Sequence, residues 1–229
     1  MFMSNNIIKI GLPSKGRLKE DTLKVFKKRK LNIISKDRGL FGYIKKIPYI
    51  KIIYLHAREC IEQLSLGNID LGFSGLDLLR ESETNIQNNI SIVNKFNYGH
   101  ANLVLAIPDL WIDVQTLLDL DEVADEFKKK KKRLLRVSTK YPNLTRQFLY
   151  SKGVTQFQLV KSLGSTEVAP FTGTAEIVSD ITSTGATLKA NNLRILKDGE
   201  ILKSQACLIQ SKLSTSKVGI KKILNLLSR

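Results

Sequence analysis

Residues 176–188, EIVSDITSTGATL, set two carboxylates ahead of a run of hydroxyls, small side chains and one glycine. Read as a strand, Glu176, Val178 and Asp180 point to one face. The two acids are then expected together near the carboxyl end of that strand. Thr182, Ser183, Thr184, Gly185, Ala186 and Thr187 follow as a turn rich in backbone N–H and hydroxyl donors. Leu188 onward reads as a helix start, whose positive end favours an anion. An acid pair beside an anion-cradling turn suits a ribose phosphate, with its phosphate in the turn and its two hydroxyls donating to Glu176 and Asp180. By itself the segment also fits a plain strand–turn–helix with incidental threonines.

Cations that could meet further phosphate charge sit where loops leave strands. Lys15 and Arg17 follow the apolar run 7–12, and Arg58 follows the run 49–55. A guanidinium grips phosphate in a bidentate fork, which favours Arg58, and a solvated helix-start arginine is the plainer alternative. Ser74 and Gly75 end a third short strand, 69–74, and are candidates to line a ligand surface. His56 and His100 are the only histidines, and neither is assigned a role.

The elements around these residues alternate. Strands are expected at 7–12, 49–55, 69–74, 101–107, 135–138, 157–160 and 176–181. Helices are expected after residue 20 with Asp21 as a cap, and at 58–66, 76–82, 114–127, 143–151, 187–192 and 214–227. Asp198-Gly199 is a strong short turn signal, and predicts a hairpin within 194–209. Strand–helix alternation implies βαβ units and a parallel sheet.

The 229 residues carry 37 Lys+Arg against 21 Asp+Glu, a net charge of +16. That excess favours anionic partners. Part of it is the run 128–133, KKKKKR, read as a solvated helix end or loop. No aromatic residues interleave it, as a single-strand-stacking surface requires, and no nucleic-acid-binding motif is visible. No apolar run approaches the roughly 18–20 residues of a membrane span, and the N-terminus lacks a secretory h-region. A cytoplasmic enzyme with no membrane or nucleic-acid partner is expected. Cys60 and Cys207 read as ordinary buried thiols.

The loop resembles the phosphoribosyl-pyrophosphate loop of the ATP phosphoribosyltransferase family. LPSKGRL (12–18), GNIDLGFSGLDL (67–78), GHANLVLAIP (99–108), RVSTKYPNLTR (136–146) and STEVAP (165–170) resemble further segments of that family, in its order. Ser14 interrupts the first, and Glu176 stands where an aspartate is expected. The resemblance implies an α/β, two-lobed fold like periplasmic binding proteins of type II, with the active site in the cleft between lobes. Lobe I would be 1–95 completed by 206–229, and lobe II 96–205. It implies transfer of the phosphoribosyl group to N1 of ATP with release of pyrophosphate, the first step of histidine biosynthesis. Mg²⁺ would be held mainly by pyrophosphate and by no protein side chain. Lys15, Arg17 and Arg58 would meet the charge of pyrophosphate and ATP. A chain ending at Arg229 resembles the short form, a homodimer that assembles with a regulatory subunit resembling histidyl-tRNA synthetase. A nucleobase phosphoribosyltransferase or a two-lobed small-molecule binding protein are the alternatives.

Overall fold

A computed structural model describes residues 7–35, 39–45, 47–162, 164–215 and 218–228. The chain divides into two compact units, residues 1–99 with 205–229 and residues 100–204.

The first unit is built on a seven-stranded mixed sheet. Its strands are β1 (Ile8–Pro13), β2 (Ile33–Ser35), β3 (Phe41–Ile44), β4 (Ile47–Leu55), β5 (Leu71–Gly75), β6 (Ile90–Lys95) and β12 (Ala206–Ser211), in the order β2-β3-β4-β1-β5-β12-β6. β1 runs parallel to both β4 and β5, while β12 is antiparallel to β5 and β6. Four helices belong to this part of the chain before β7: α1 (Gly16–Lys28), α2 (Ala57–Ser65), α3 (Leu76–Glu81) and α4 (Thr84–Asn88). Ile8, Ile10 and Leu12 of β1 pack with Phe26 of α1 and with Ile220, Ile223 and Leu227 of the last helix, α8 (Ile220–Ser228). Cys60, Ile61 and Leu64 of α2 form a separate cluster with Leu76 and Leu79 of α3. α2 lies so close to the sheet that a Cβ on Gly72 would stand 2.4 Å from Cys60 Sγ. Both cysteines are buried and free, and burial pushes the Cys60 thiol up to about 12 and the Cys207 thiol up to about 11.

The second unit holds a five-stranded sheet of β7 (Ala101–Pro108), β8 (Leu135–Thr139), β9 (Phe157–Lys161), β10 (Ile177–Thr182) and β11 (Leu193–Ser204), ordered β11-β7-β10-β8-β9. β10, β8 and β9 are parallel, and β7 runs against both β10 and β11. One face packs on α5 (Leu117–Lys131) and α6 (Pro142–Ser151), through Leu120, Phe127 and Leu149. The other face carries Val104, Ala106 and Val178 against Leu188 of α7 (Ala186–Ala190). Buried on both faces, β10 reads as a near-continuous apolar run up to Ser179.

Four expectations need correction. The sheets are mixed, because β12 and β7 return antiparallel to their neighbours. α1 begins at Gly16 behind Lys15, so Asp21 lies inside the helix and pairs with Lys24 at 2.7 Å instead of capping it. No hairpin forms at Asp198-Gly199. β11 is one strand whose register against β7 shifts between Ile195 and Glu200 and again before Leu202. The turn signal is absorbed as a bulge, which frees the Asp198 carboxylate to accept from the Leu117 amide at 2.9 Å. The last helix starts at Ile220, after a short 3₁₀ turn at Lys212–Ser214, and residues 216 and 217 of the expected helix lie outside the described residues. β2, β3, α4 and β6 had no counterpart among the expected elements.

Candidate functional site

Two groups of candidate residues sit at the carboxyl edges of parallel strands, one in each unit. In the first unit β4, β1 and β5 are neighbours, and Pro13 stands opposite Leu55 in register. The loops that leave these strands therefore emerge on one edge, where open α/β sheets take ligands. Lys15 and Arg17 leave β1, Arg58 follows β4 in the first turn of α2, and Gly75 ends β5. Ser14 N–H donates to Leu55 O at 2.8 Å and ties the first two loops together.

α1 starts in an unusual way. Lys15, its N-cap, makes no side-chain cap, the first turn holds no acidic residue, and Gly16 takes φ +75°. Lys15 and Arg17 are both exposed there. Cations at a helix N-terminus oppose the macrodipole and leave the first amides uncapped by a side chain. An incoming anion relieves both. α2 by contrast is capped by His56, whose Nδ1 accepts from Arg58 N–H at 3.4 Å.

Ser74 differs from its expected role. It is fully buried, and its hydroxyl donates to Ala57 O at 2.9 Å, fastening β5 to the start of α2. Its side chain faces no ligand surface. Gly75 stands under the Asp77 carboxylate, and a Cβ there would meet Asp77 Oδ1 at 2.3 Å. That position accepts only glycine without a rearrangement.

In the second unit the turn 182–187 leaves the carboxyl end of β10. Gly185 adopts φ +75° with nothing within 4 Å of an added Cβ, so backbone conformation and not crowding calls for glycine. Thr182 Oγ1 accepts from Gly185 N–H at 2.8 Å and Thr184 Oγ1 from Ala186 N–H at 3.4 Å. These bonds curl the turn and leave Ser183, Thr184 and Thr187 exposed. α7 is only five residues long. Its dipole is correspondingly small, and anion affinity has to come from hydroxyls and amides of the turn.

Asp180 lies two residues before the turn, half-buried, and accepts from Ile181 N–H at 2.9 Å. Burial pushes its carboxyl above the usual aspartate range, with Glu167 adding to the rise. The Ile181 amide, the Lys140 ammonium and a hydrogen bond with Thr166 pull the other way. Lys140, Thr166 and Glu167 were not singled out from sequence. The signal was present: Thr139 pairs with Ser179 across parallel strands, so residue 140 arrives at the same edge as Asp180. Behind this edge, buried hydroxyls of Thr139, Thr145 and Ser179 bond in a chain at 3.3 and 2.8 Å, holding β8, α6 and β10 in place.

Glu176 is not at this edge. It precedes the first residue of β10. Four residues of strand separate its backbone from that of Asp180 by about 13 Å. Its carboxylate is held by Arg136, through Nη2 at 2.6 Å and the backbone N–H at 2.8 Å, and by Arg133 at 2.9 Å. Burial raises the Glu176 carboxyl, but these donors outweigh it and bring it down to about 2. The expected pairing of Glu176 with Asp180 fails because side-chain period alone does not say at which end of a strand a residue stands.

Residues 56–229 match the sequence profile of the family described as ATP phosphoribosyltransferase. The ATP phosphoribosyltransferase of Nitrobacter winogradskyi is 46% identical over 206 residues, covering 89% of this chain and 63% of the relative. The ATP phosphoribosyltransferase of Brucella suis is 42% identical over 219 residues, covering 94% of this chain and 95% of the relative. Among solved structures, the ATP phosphoribosyl transferase (HisG:HisZ) complex from Thermotoga maritima contains a chain with TM-score 0.71 and 27% identity, covering 96% of both chains. The substrate binding protein of an amino acid ABC transporter superposes with TM-score 0.54 at 12% identity over 97% of this chain and 90% of its own, a likeness of fold alone. The fold is thus the two-lobed α/β fold of type II periplasmic binding proteins. With a family profile that spans residues 56–229 and relatives this similar over most of the sequence, the chain belongs to the ATP phosphoribosyltransferase family.

Proposed function

We propose that this chain transfers the phosphoribosyl group of phosphoribosyl pyrophosphate to N1 of ATP, releasing pyrophosphate, as the first step of histidine biosynthesis. The observation that carries the reading is the turn 182–187 with Asp180 behind it, at the carboxyl end of a central parallel strand. The 5-phosphate binds the hydroxyls and amides of residues Thr182, Ser183, Thr184, Gly185, Ala186 and Thr187. Asp180 accepts from the ribose hydroxyls. Glu176 takes no part, being held by Arg133 and Arg136.

In the reaction the lone pair of adenine N1 attacks C1 of the ribose while the C1–O bond breaks. Positive charge grows on the sugar and negative charge on the departing pyrophosphate. A carboxylate beside the ribose and cations on the phosphates stabilise that separation. Asp180 supplies the first. Lys15, Arg17 and Arg58 are assigned to the second, at the uncapped start of α1 and the first turn of α2. No general base is required, since N1 carries its own lone pair. Magnesium enters with the donor substrate, because it prefers phosphate oxygens and retained waters. No group of three His, Cys, Asp or Glu side chains gathers for a metal among the described residues. When bound it neutralises pyrophosphate charge.

The proposal includes a cytoplasmic location, where both substrates are made, and assembly of a homodimer with a regulatory subunit resembling histidyl-tRNA synthetase. The Thermotoga relative supports the latter, since its structure is that of a HisG:HisZ complex. Among the described residues no helix is long and apolar enough to cross a membrane.

The test is pyrophosphate release from phosphoribosyl pyrophosphate and ATP with Mg²⁺, with and without the regulatory subunit. Thr184→Ala and Asp180→Ala should each reduce turnover by about 10²-fold. Turnover with free adenine in place of ATP would point instead to a nucleobase phosphoribosyltransferase, and normal rates in both variants would remove the site assignment.

A further inference from the structure

The second unit has a groove at the edge opposite the phosphate turn. β7 is antiparallel to β10, with Thr182 opposite Asn102 and Val178 opposite Ala106. Pro108, which ends β7, and Ala175 and Glu176, which precede β10, therefore share the far edge. Together with Trp111, Val114 and Phe127 they line a cavity of about 530 Å³. Its walls are ordered: Trp111 and Phe127 meet at 6.2 Å between ring centroids, and Arg194 holds the Trp111 carbonyl at 2.5 Å.

Two features of this groove are not explained by catalysis. Large apolar side chains stand out around it: Leu110 is 89% exposed, Ile112 72% and Phe171 60%. Leu110 and Ile112 line the groove and Phe171 follows its wall residue Pro170, and large exposed apolar side chains gathered at one groove mark an interaction surface. The second feature is the lysine run. Lys128–Lys131 form the last turn of α5, and Lys131 lines the groove with its Nζ 4.0 Å from the Phe127 ring centroid. Lys129 and Lys130 have acidic neighbours at Asp125 and Glu126, and Arg133 is engaged by Glu176. Lys128, Lys131 and Lys132 are exposed beside the groove, and the acids that line it are Asp113 and the doubly paired Glu176.

We propose that this groove docks an acidic, amphipathic segment of a second protein, with its apolar side chains against Leu110, Trp111 and Ile112 and its carboxylates toward Lys128, Lys131 and Lys132. Charge decides the occupant. Two copies meeting groove to groove would set lysine run against lysine run, so the homodimer proposed above is not placed on this face. A nucleic acid would match the charge and could stack on Phe171, but it would leave the exposed aliphatic Leu110 and Ile112 without apolar partners. An interface of this kind takes its affinity from buried apolar anchors and its orientation and association rate from the charges. The proposal does not rest on the transferase reading.

The test uses the full chain labelled with ¹⁵N and a synthetic helical peptide with Leu and Phe on one face and Glu on the flanks. Its twin carries Lys in place of every Glu. Titration is expected to shift amide signals of residues 109–114, 127–133 and 171–176. The Lys twin should bind at least about tenfold more weakly. Leu110→Ser with Ile112→Ser should weaken the acidic peptide by at least about tenfold, and Lys128→Glu with Lys131→Glu should reverse the preference between twins. Pyrophosphate release should be unchanged in both double variants, which shows that they fold. Equal affinity of the two peptides, shifts scattered over the surface, or unaltered affinity in both variants would overturn the proposal. So would sedimentation showing that the groove variants break up a dimer of the chain itself, or a DNA duplex that displaces the peptide and binds Leu110→Ser/Ile112→Ser undiminished.

Discussion

Glu176 stands just before β10 and Asp180 lies within it, and the structure gives these two acids opposite fates. Asp180 is half-buried at the carboxyl edge and its carboxyl is pushed upward by burial. A carboxyl that binds its proton more tightly folded than unfolded lowers stability as pH climbs from the usual aspartate range through the raised folded value. Asp180→Asn should therefore lose about 10²-fold in turnover while unfolding in urea no earlier than the parent at neutral pH. An accompanying large loss of stability would mean that Asp180 is structural. Glu176 runs the other way. Its carboxyl is brought down to about 2 by Arg136 and Arg133. The stability it contributes is present above the ordinary glutamate range and is lost as pH falls toward about 2. Glu176→Gln should cost about 1–2 kcal/mol at neutral pH, and the gap to the parent should close in urea melts carried from pH 6 toward about pH 3. Turnover should fall far less than in Asp180→Asn. The turn at 182–187 was legible from sequence because its geometry is local: a strand, hydroxyls and a glycine in one stretch. Glu176 was misread because its partners are 40 and 43 residues away.

Asp198-Gly199 shows the same limit for an element. As a dipeptide it is a hairpin signal, and in the structure it is an irregularity in β11, an edge strand of its sheet. The Asp198 carboxylate caps α5 from a distance in sequence, while Thr116 and Asp119 close a capping box on the same helix end. A Cβ on Gly199 would meet Leu105 O and Leu196 Cβ, each at 2.9 Å. Gly199→Ala should cost about 1–3 kcal/mol because backbone has to move. Asp198→Ala should cost about 1 kcal/mol as a lost cap. Thermal melts of both variants check this, and a neutral Gly199→Ala would show the bulge to be looser than its contacts imply. The apolar run of β7 was legible because burial on both faces leaves an unbroken hydrophobic stretch, and β1, β4 and β8 because their apolar residues recur around single charged ones, Lys9, Lys51 and Arg136. β2 and β3 were not: they are three and four residues long, and Ile34, Phe41 and Tyr43 face solvent, so no core-facing run marks them. Pairing makes them strands: β3 joins β4, and β2 joins β3.

At the scale of the molecule, the second unit is one continuous segment inserted into the first. Its two ends are neighbours, since Ala101 of β7 and Ser204 of β11 pair across antiparallel strands. Antiparallel partners have Cα atoms about 5 Å apart. Residues 100–204 expressed alone should therefore fold, with a single cooperative transition in urea by circular dichroism. The remainder, joined by a short glycine linker across residues 99 and 205, should also hold its sheet. A segment 100–204 that stays unfolded would show that its two clusters do not suffice as a core. The lobed organisation was legible through the order of family-like segments. The crossings were expected at 95/96 and 205/206, and the two units divide at 99/100 and 204/205. Strand β12 has one more consequence. It lies between β5 and β6, in the interior of the seven-stranded sheet, yet begins only at Ala206. On a ribosome, β5 and β6 emerge first and wait with open hydrogen-bonding edges while all of residues 100–204 are made. The inserted unit can close on itself during that interval, and the first-made unit is the last to finish, exposed in the meantime to the edge-to-edge pairing that unpaired strands invite.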